Sequence, residues 1–439
     1  MRKLPLSKKI LYGIGEIGET IPLYYLPTYI FLFYSPLQGP RLLSSYMVGL
    51  ALFLGTIIQA ISNPIIGHWS DKSTSRFGRR GFFIATGTIP LVVFLTMVWV
   101  PVSSGIALFI LLVFYLIGVN FLIVWVGAPY LAMMPELTIE AGDRVVLSTV
   151  SSYFSILGIV LASVLPAIFL ALGYGYAVLG LILAVISGVS FFVVFFTIKE
   201  RPVGEIVPKQ YSIVQGILQT FKNKTFDGYI IAKTAFTFGF YFFLSSLGYI
   251  VESVVMPGNP NYSSYVGIFT LIALVLTAVF SPLLIRYSKN RGEKSAFILF
   301  TTILALAFIL IGFVGYTQVV SNFIQTLLVM VLAGLGLTSY FILPNAILSE
   351  VVDEDETMSG YRREGIYFGV QGLVDRVPTG LAGLALGWWV TNFYDPTNSV
   401  IYIRALGPFA GSFLIVAAVI FIFVPLKQGL KLKEKTQSN

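Results

Sequence analysis

The chain has 439 residues, of which 56% are hydrophobic and only 11% charged, with a mean hydropathy of +0.87. A soluble domain carries about twice that share of charge, so most of this chain must face lipid or other helices. The absence of cysteine excludes disulfides and thiol chemistry, and a single histidine argues against a histidine-built metal centre. The net charge of +8 sits in scattered short loops, which fits membrane topology better than nucleic-acid binding.

The basic start, MRKLPLSKKI, runs into a first apolar segment too long and too polar for a cleaved leader. Measured against the roughly 20 residues that span a bilayer, the apolar runs predict twelve helices. They fall at 10–34, 45–69, 82–102, 104–133, 146–172, 174–198, 227–251, 263–286, 296–316, 321–348, 364–391 and 401–425. Segments 3 and 4, and 5 and 6, are joined by links short enough to be tight hairpins. The longest polar link, 199–226, divides the chain into a six-helix bundle at 1–198 and a second at 227–426, followed by a tail at 427–439. All Lys and Arg except Arg41, Lys233, Arg376 and Arg404 fall on the side of the termini. That asymmetry predicts cytoplasmic termini and a multi-pass protein of the cell membrane. The expected fold is an all-α integral membrane protein of twelve helices in two pseudo-repeats.

Segment 2 ends in a dense polar stretch, NPIIGHWSDKSTSRFGRR. Gly67, Asp71, Lys72, Arg76, Gly78, Arg79 and Arg80 place an acid at a helix end, a glycine where the chain must turn, and a basic pair. That set can latch two helix bundles together. A weaker echo follows segment 8, in Pro282, Arg286, Lys289, Gly292 and Lys294. Segment 4 ends with Pro129, Glu136 and then Arg144; segment 10 ends with Pro344, Glu350 and then Arg362 and Arg363. Two faint repeats around a shared cavity is an architecture of secondary transporters.

Ionisable groups within apolar segments cost several kcal/mol unless they face a cavity or a partner, so each is a functional candidate. Segment 1 carries Glu16 and Glu19 one turn apart, roughly 10 and 15 Å beyond Lys9. Segment 7 carries Lys233, and segment 11 carries Asp375 and Arg376, the latter roughly 18 Å beyond Glu364. Asp375 and Arg376 point about 100° apart, so Arg376 should find its partner on another helix. Glu19, alone or with Glu16, is expected to be a protonatable site facing a cation across the cavity. Glu16 and Glu252 lie nearer to helix ends and are expected to be solvated. The spacing Gly13-x-Gly15-x-x-Gly18 matches a dinucleotide fingerprint, but no strand precedes it, and in a membrane helix it serves packing or bending.

From Leu11 to about Phe393 the chain resembles the glycoside–pentoside–hexuronide:cation symporters, a major facilitator family that includes melibiose permease. The resemblance rests on Tyr12-Gly13-x-Gly15, on Asn63-Pro64-x-x-Gly67 followed by Ser70-Asp71-x-x-x-Ser75-Arg76-x-Gly78-Arg79-Arg80, and on Pro129 with Pro135-Glu136-Leu137-Thr138. In the second half it rests on Arg362-Arg363-Glu364-Gly365-Ile366-Tyr367 leading to Gln371. It implies alternating access between the two halves and a sugar or glycoside as solute.

The chain departs from the sugar:sodium members of that family at their site positions. Their two acids on helix 2 are matched by Gln59 and Asn63, their helix 4 acid by Gly127, and the aromatic beyond it by Leu131. Their helix 1 acid falls at Thr20, beside Glu19, and their helix 5 arginine at Ser152; their helix 11 cation has its counterpart in Arg376. Sodium needs several oxygen ligands, carboxylates among them, so proton coupling or uncoupled transport is the expectation here. Tyr24, Trp125, Tyr130 and Tyr367 are candidate stacking surfaces. No nucleophile–base pair occurs in the apolar segments, so an enzyme is not expected, nor is a cofactor. The expected partners are a small solute and the bilayer, with the protein acting as a monomer. The other readings are an amphipathic, lipid-like solute and a transporter-shaped sensor or scaffold without flux.

Overall fold

The computed structural model describes residues 4–137, 141–198, 220–317, 319–359, 364–394 and 399–426. Every regular element among them is a helix. The first half contains α1 (Leu6–Gly13), α2 (Gly15–Tyr34), α3 (Ser45–Lys72), α4 (Gly81–Met97), α5 (Gly105–Leu137), α6 (Ala141–Ala171) and α7 (Tyr176–Thr197). The second contains α8 (Lys224–Ile250), which widens into a π-helical turn at Val251–Val255, then α9 (Tyr262–Arg291), α10 (Glu293–Ile311), α11 (Asn322–Ser359), α12 (Glu364–Phe393), α13 (Ser399–Arg404) and α14 (Leu406–Phe423). Each apolar run of the sequence coincides with one helix or with two in succession. Nine spans among the described residues are long and apolar enough to cross a membrane. The three runs outside that set are α2, the shorter α4, and α12. Two of these, α2 and α12, carry Glu16, Glu19, Asp375 and Arg376.

The end of α7 and the α9–α10 link lie on the face of the termini. Near the termini, Lys8 Nζ donates to the Thr197 carbonyl at the end of α7, and Lys294 Nζ donates to the Val424 carbonyl after α14, at 2.7 Å. A cation on the final carbonyls of a helix satisfies acceptors that have no partner within it. The α3–α4 turn lies on this same face. Gly78 adopts a φ of +94° there, which a side chain would strain, and its N–H donates to the Ser75 carbonyl at 3.1 Å.

Three helix pairs bring the two halves of the chain together: α2 with α8, α3 with α12, and α6 with α9. The α3–α12 crossing is close enough that a Cβ on Gly49 would press into the Gly383 carbonyl, and one on Gly387 into the Ser45 carbonyl. Between helices in lipid there is no water to expel, so approach at this range supplies association through van der Waals contact.

Candidate functional site

Between the halves, α2, α8 and α12 bring together the ionisable residues singled out by sequence. Lys233 on α8 and Asp375 on α12 form an ion pair, with side chains 11% and 27% exposed, and Thr237 Oγ1 donates to the same carboxylate at 3.4 Å. Asp375 therefore turns to α8 and leaves Arg376 to look elsewhere, as the angle between neighbouring residues requires. Arg376 comes within electrostatic reach of Glu19, Tyr24, Tyr241 and Lys233. Glu19 belongs to the first half and Arg376 to the second, so these two opposite charges act on each other across the halves at a distance, without a contact ion pair.

Gly127 on α5 lies beside this carboxylate. The nearest atoms to a Cβ built on Gly127 are those of Glu19, its carboxyl carbon at 3.6 Å, an ordinary van der Waals distance. The Glu19 side chain thus lies over α5. Glu16, one turn earlier, accepts a hydrogen bond from Tyr130 Oη at 3.3 Å. Tyr130 itself differs from expectation. It is fully buried, stacked on Tyr12 with ring centroids 4.7 Å apart. The two tyrosines exchange hydrogen bonds with each other's carbonyls at 2.9 and 3.1 Å. Tyr130 supports Glu16 from behind and offers no face to a solute.

Tyr367 is likewise buried, and Trp125 packs among Phe83, Phe121 and Trp69 while its Nε1 donates to Thr86. Of the four aromatic candidates only Tyr24 lines open space. Its hydroxyl lies near those of Tyr340 and Tyr241. Sequence reading missed Tyr241 and Tyr340, and with 24 tyrosines in the chain no local signal distinguishes them. Beyond Tyr24 the space turns apolar apart from Thr270, walled by Ile159, Phe243, Leu247, Phe269 and Met330.

Gln371 is buried and accepts a hydrogen bond from Tyr229 Oη, which also donates to the Pro344 carbonyl at 3.0 Å. Gln59 is buried on α3 and Asn63 half-buried one turn on. Neither brings a carboxylate. Among the described residues no group of three or more His, Cys, Asp or Glu could hold a metal ion.

Of the loop residues, Gly67 lies inside α3, where its carbonyl accepts from Ser70 Oγ at 2.9 Å. Lys72 and Arg76 are exposed, with the Arg76 guanidinium 5.0 Å from the Phe77 ring centroid. Arg79 is half-buried. Arg80 turns inward, 5% exposed, within electrostatic reach of Tyr12 on α1. Glu350 is half-buried on α11. Arg362 and Arg363 lie outside the described residues, as do the side chains of Asp71, Glu136 and Arg144.

Glu252 departs most from expectation. It is wholly buried, and its carboxylate accepts the N–H groups of Gln38 and Leu37 at 2.7 and 3.3 Å.

The profile of the family described as MFS/sugar transport protein matches residues 11–428. An uncharacterized symporter of Synechocystis is 24% identical over 98% of this chain and 95% of its own length. The isoprimeverose transporter of Lactiplantibacillus pentosus is 25% identical over 88% of this chain and 80% of its own. Among solved structures, that of a D-xylose–proton symporter superposes with a TM-score of 0.68 at 15% identity, covering 96% of this chain and 98% of that one. Likeness at that identity shows a shared fold.

Proposed function

We propose a proton-coupled sugar or glycoside transporter, because the chain belongs to the MFS/sugar transport protein family, the glycoside–pentoside–hexuronide:cation symporters, and Glu19 stands within electrostatic reach of Arg376 across the two halves. It is a multi-pass membrane transporter of sugar-like solutes and not an enzyme. In our reading twelve helices rock as two six-helix bundles, with both termini in the cytoplasm of a monomer in the cell membrane. In this reading Asp71 at the end of α3, with Arg79 and Arg80 in the loop after it, fastens the halves on the cytoplasmic side.

The reach of Arg376 to Glu19 across the halves carries the coupling assignment. A carboxylate taken out of water favours its neutral form, and a facing guanidinium favours the charged one. Moving the halves changes the second influence while leaving the first, so the carboxyl exchanges a proton once per cycle. A proton is favoured over sodium because Gln59 and Asn63 bring no carboxylates to α3. The apolar space beyond Tyr24 favours a second reading for the solute: a polar head with an apolar arm, rather than a bare sugar.

The test is external pH recorded on de-energised cells expressing the protein, with sugars, glycosides and lysolipids added in turn. One solute is expected to cause alkalinisation. In Glu19→Gln this signal falls by about tenfold or more, while exchange of labelled solute across the membrane, which needs no net proton movement, persists. Uptake with no pH change, indifferent to Glu19→Gln and to sodium, would leave a facilitator and remove the coupling role of Glu19.

A further inference from the structure

The described hydrogen bonds between the two halves gather at one end, the face opposite the termini. There the link Ser35–Ser44 between α2 and α3 is held by three elements of the other half. The carboxylate of Glu252, in the π-turn that ends α8, takes the two successive N–H groups of Leu37 and Gln38. Tyr249 Oη, one turn before it, donates to the Ser35 carbonyl at 2.8 Å and lies 3.4 Å from Ser45 Oγ. At the end of α12, Tyr394 Oη donates to the Leu37 carbonyl at 3.2 Å, and Thr391 Oγ1 accepts the Tyr46 N–H at 2.9 Å. Arg41 closes the ring, its guanidinium 4.9 Å from the Tyr394 ring centroid and within electrostatic reach of Glu252.

The π-turn has a job here. Its extra residue per turn bends the end of α8 outward, and Asn322 on α11 steadies it by donating Nδ2 to the Val254 carbonyl at 3.0 Å. This presents Glu252 to a backbone more than 200 residues away in sequence rather than to its own helix.

We propose that Glu252 is the releasable catch of an outer gate, holding the 35–44 link across the mouth of the cavity, and that its charge is what makes the catch reversible. An apolar contact would favour only the closed state, since opening exposes it to water. A carboxylate is stabilised in both states, by two amides and Arg41 when shut and by water when open. The energies of the two states therefore stay close, as a cycling gate needs. The inference rests on the transporter reading, but its test uses no solute.

The natural chain has no cysteine, so Thr270→Cys, in the apolar space beneath the gate, gives a single reporter. A charged, membrane-impermeant methanethiosulfonate is applied to the face carrying the 35–44 link. Labelling is expected to be slow with Glu252 present and about tenfold faster in Glu252→Gln, which keeps the shape but loses one acceptor and the charge. Tyr249→Phe should accelerate it less. Equal rates, within about twofold, in the parent, Glu252→Gln and Glu252→Ala would overturn the proposal, provided thermal midpoints show the variants folded. So would fast labelling of the parent. Neither result would touch the coupling role of Glu19, which the pH recording reads separately.

Discussion

Arg376→Ala is expected to lower solute uptake by about a hundredfold or more, while Arg376→Lys keeps most of it. Removing the guanidinium leaves Glu19 buried with no cation of its own, because Lys233 is already committed to Asp375. A buried charge stripped of its partner costs about 3–5 kcal/mol. Each 1.4 kcal/mol charged against a transport step is about a factor of ten in rate. Lysine restores the charge, which is what acts on Glu19 from this distance, though not the shape of the guanidinium. Uptake into proteoliposomes, using the solute that gives the pH signal, is the measurement. If Arg376→Ala transports at the parental rate, the pair does not govern the cycle. A cycle of Glu19→Gln, Arg376→Ala and the double variant adds a second check. Residues acting through one interaction should be strongly non-additive.

The second large effect concerns stability. Lys233→Ala and Asp375→Ala should each destabilise the protein by about 3 kcal/mol, since each strands an opposite charge between helices. The variant carrying both changes should lose only about 1 kcal/mol, because no unpaired ion remains. Thermal unfolding of purified protein in detergent gives the order. The double variant is expected above either single one. Two singles that melt no lower than the double would show that Lys233 and Asp375 are solvated independently.

Much of the fold was legible because the bilayer imposes a length on apolar runs. The run at 174–198 became Tyr176–Thr197, and that at 263–286 became Tyr262–Arg291. Ends were less legible where a helix outlives its apolar part. The run 321–348 continues as helix to Ser359 through Asp353–Glu356, since helical hydrogen bonds do not stop at the membrane boundary. In the site, the geometry of one helix sufficed to say that Asp375 and Arg376 must part company. It could not say that Lys233 would take the first and Glu19 the second, because that depends on the register of three helices far apart in sequence.

Glu252 and Tyr130 misled for related reasons. Glu252 draws its partners from backbone amides, which every residue has and no side-chain pattern reveals. Tyr130 looked like a cavity aromatic, but its ring is claimed by Tyr12, on a helix more than 100 positions away.

The charged groups between the halves have an electrical consequence. Three carboxylates, Glu16, Glu19 and Asp375, stand against two cations, Lys233 and Arg376. Fully ionised, they sum to one negative charge, and a single captured proton brings them to zero. One elementary charge crossing the whole field of a 100 mV membrane involves about 2.3 kcal/mol of work, whereas a neutral assembly involves none. Under the proposed proton coupling, an empty, unprotonated site feels the resting voltage when its access switches sides, and a proton-loaded one does not. In that reading the voltage acts on the return of the empty carrier, and the pH gradient on its loaded passage.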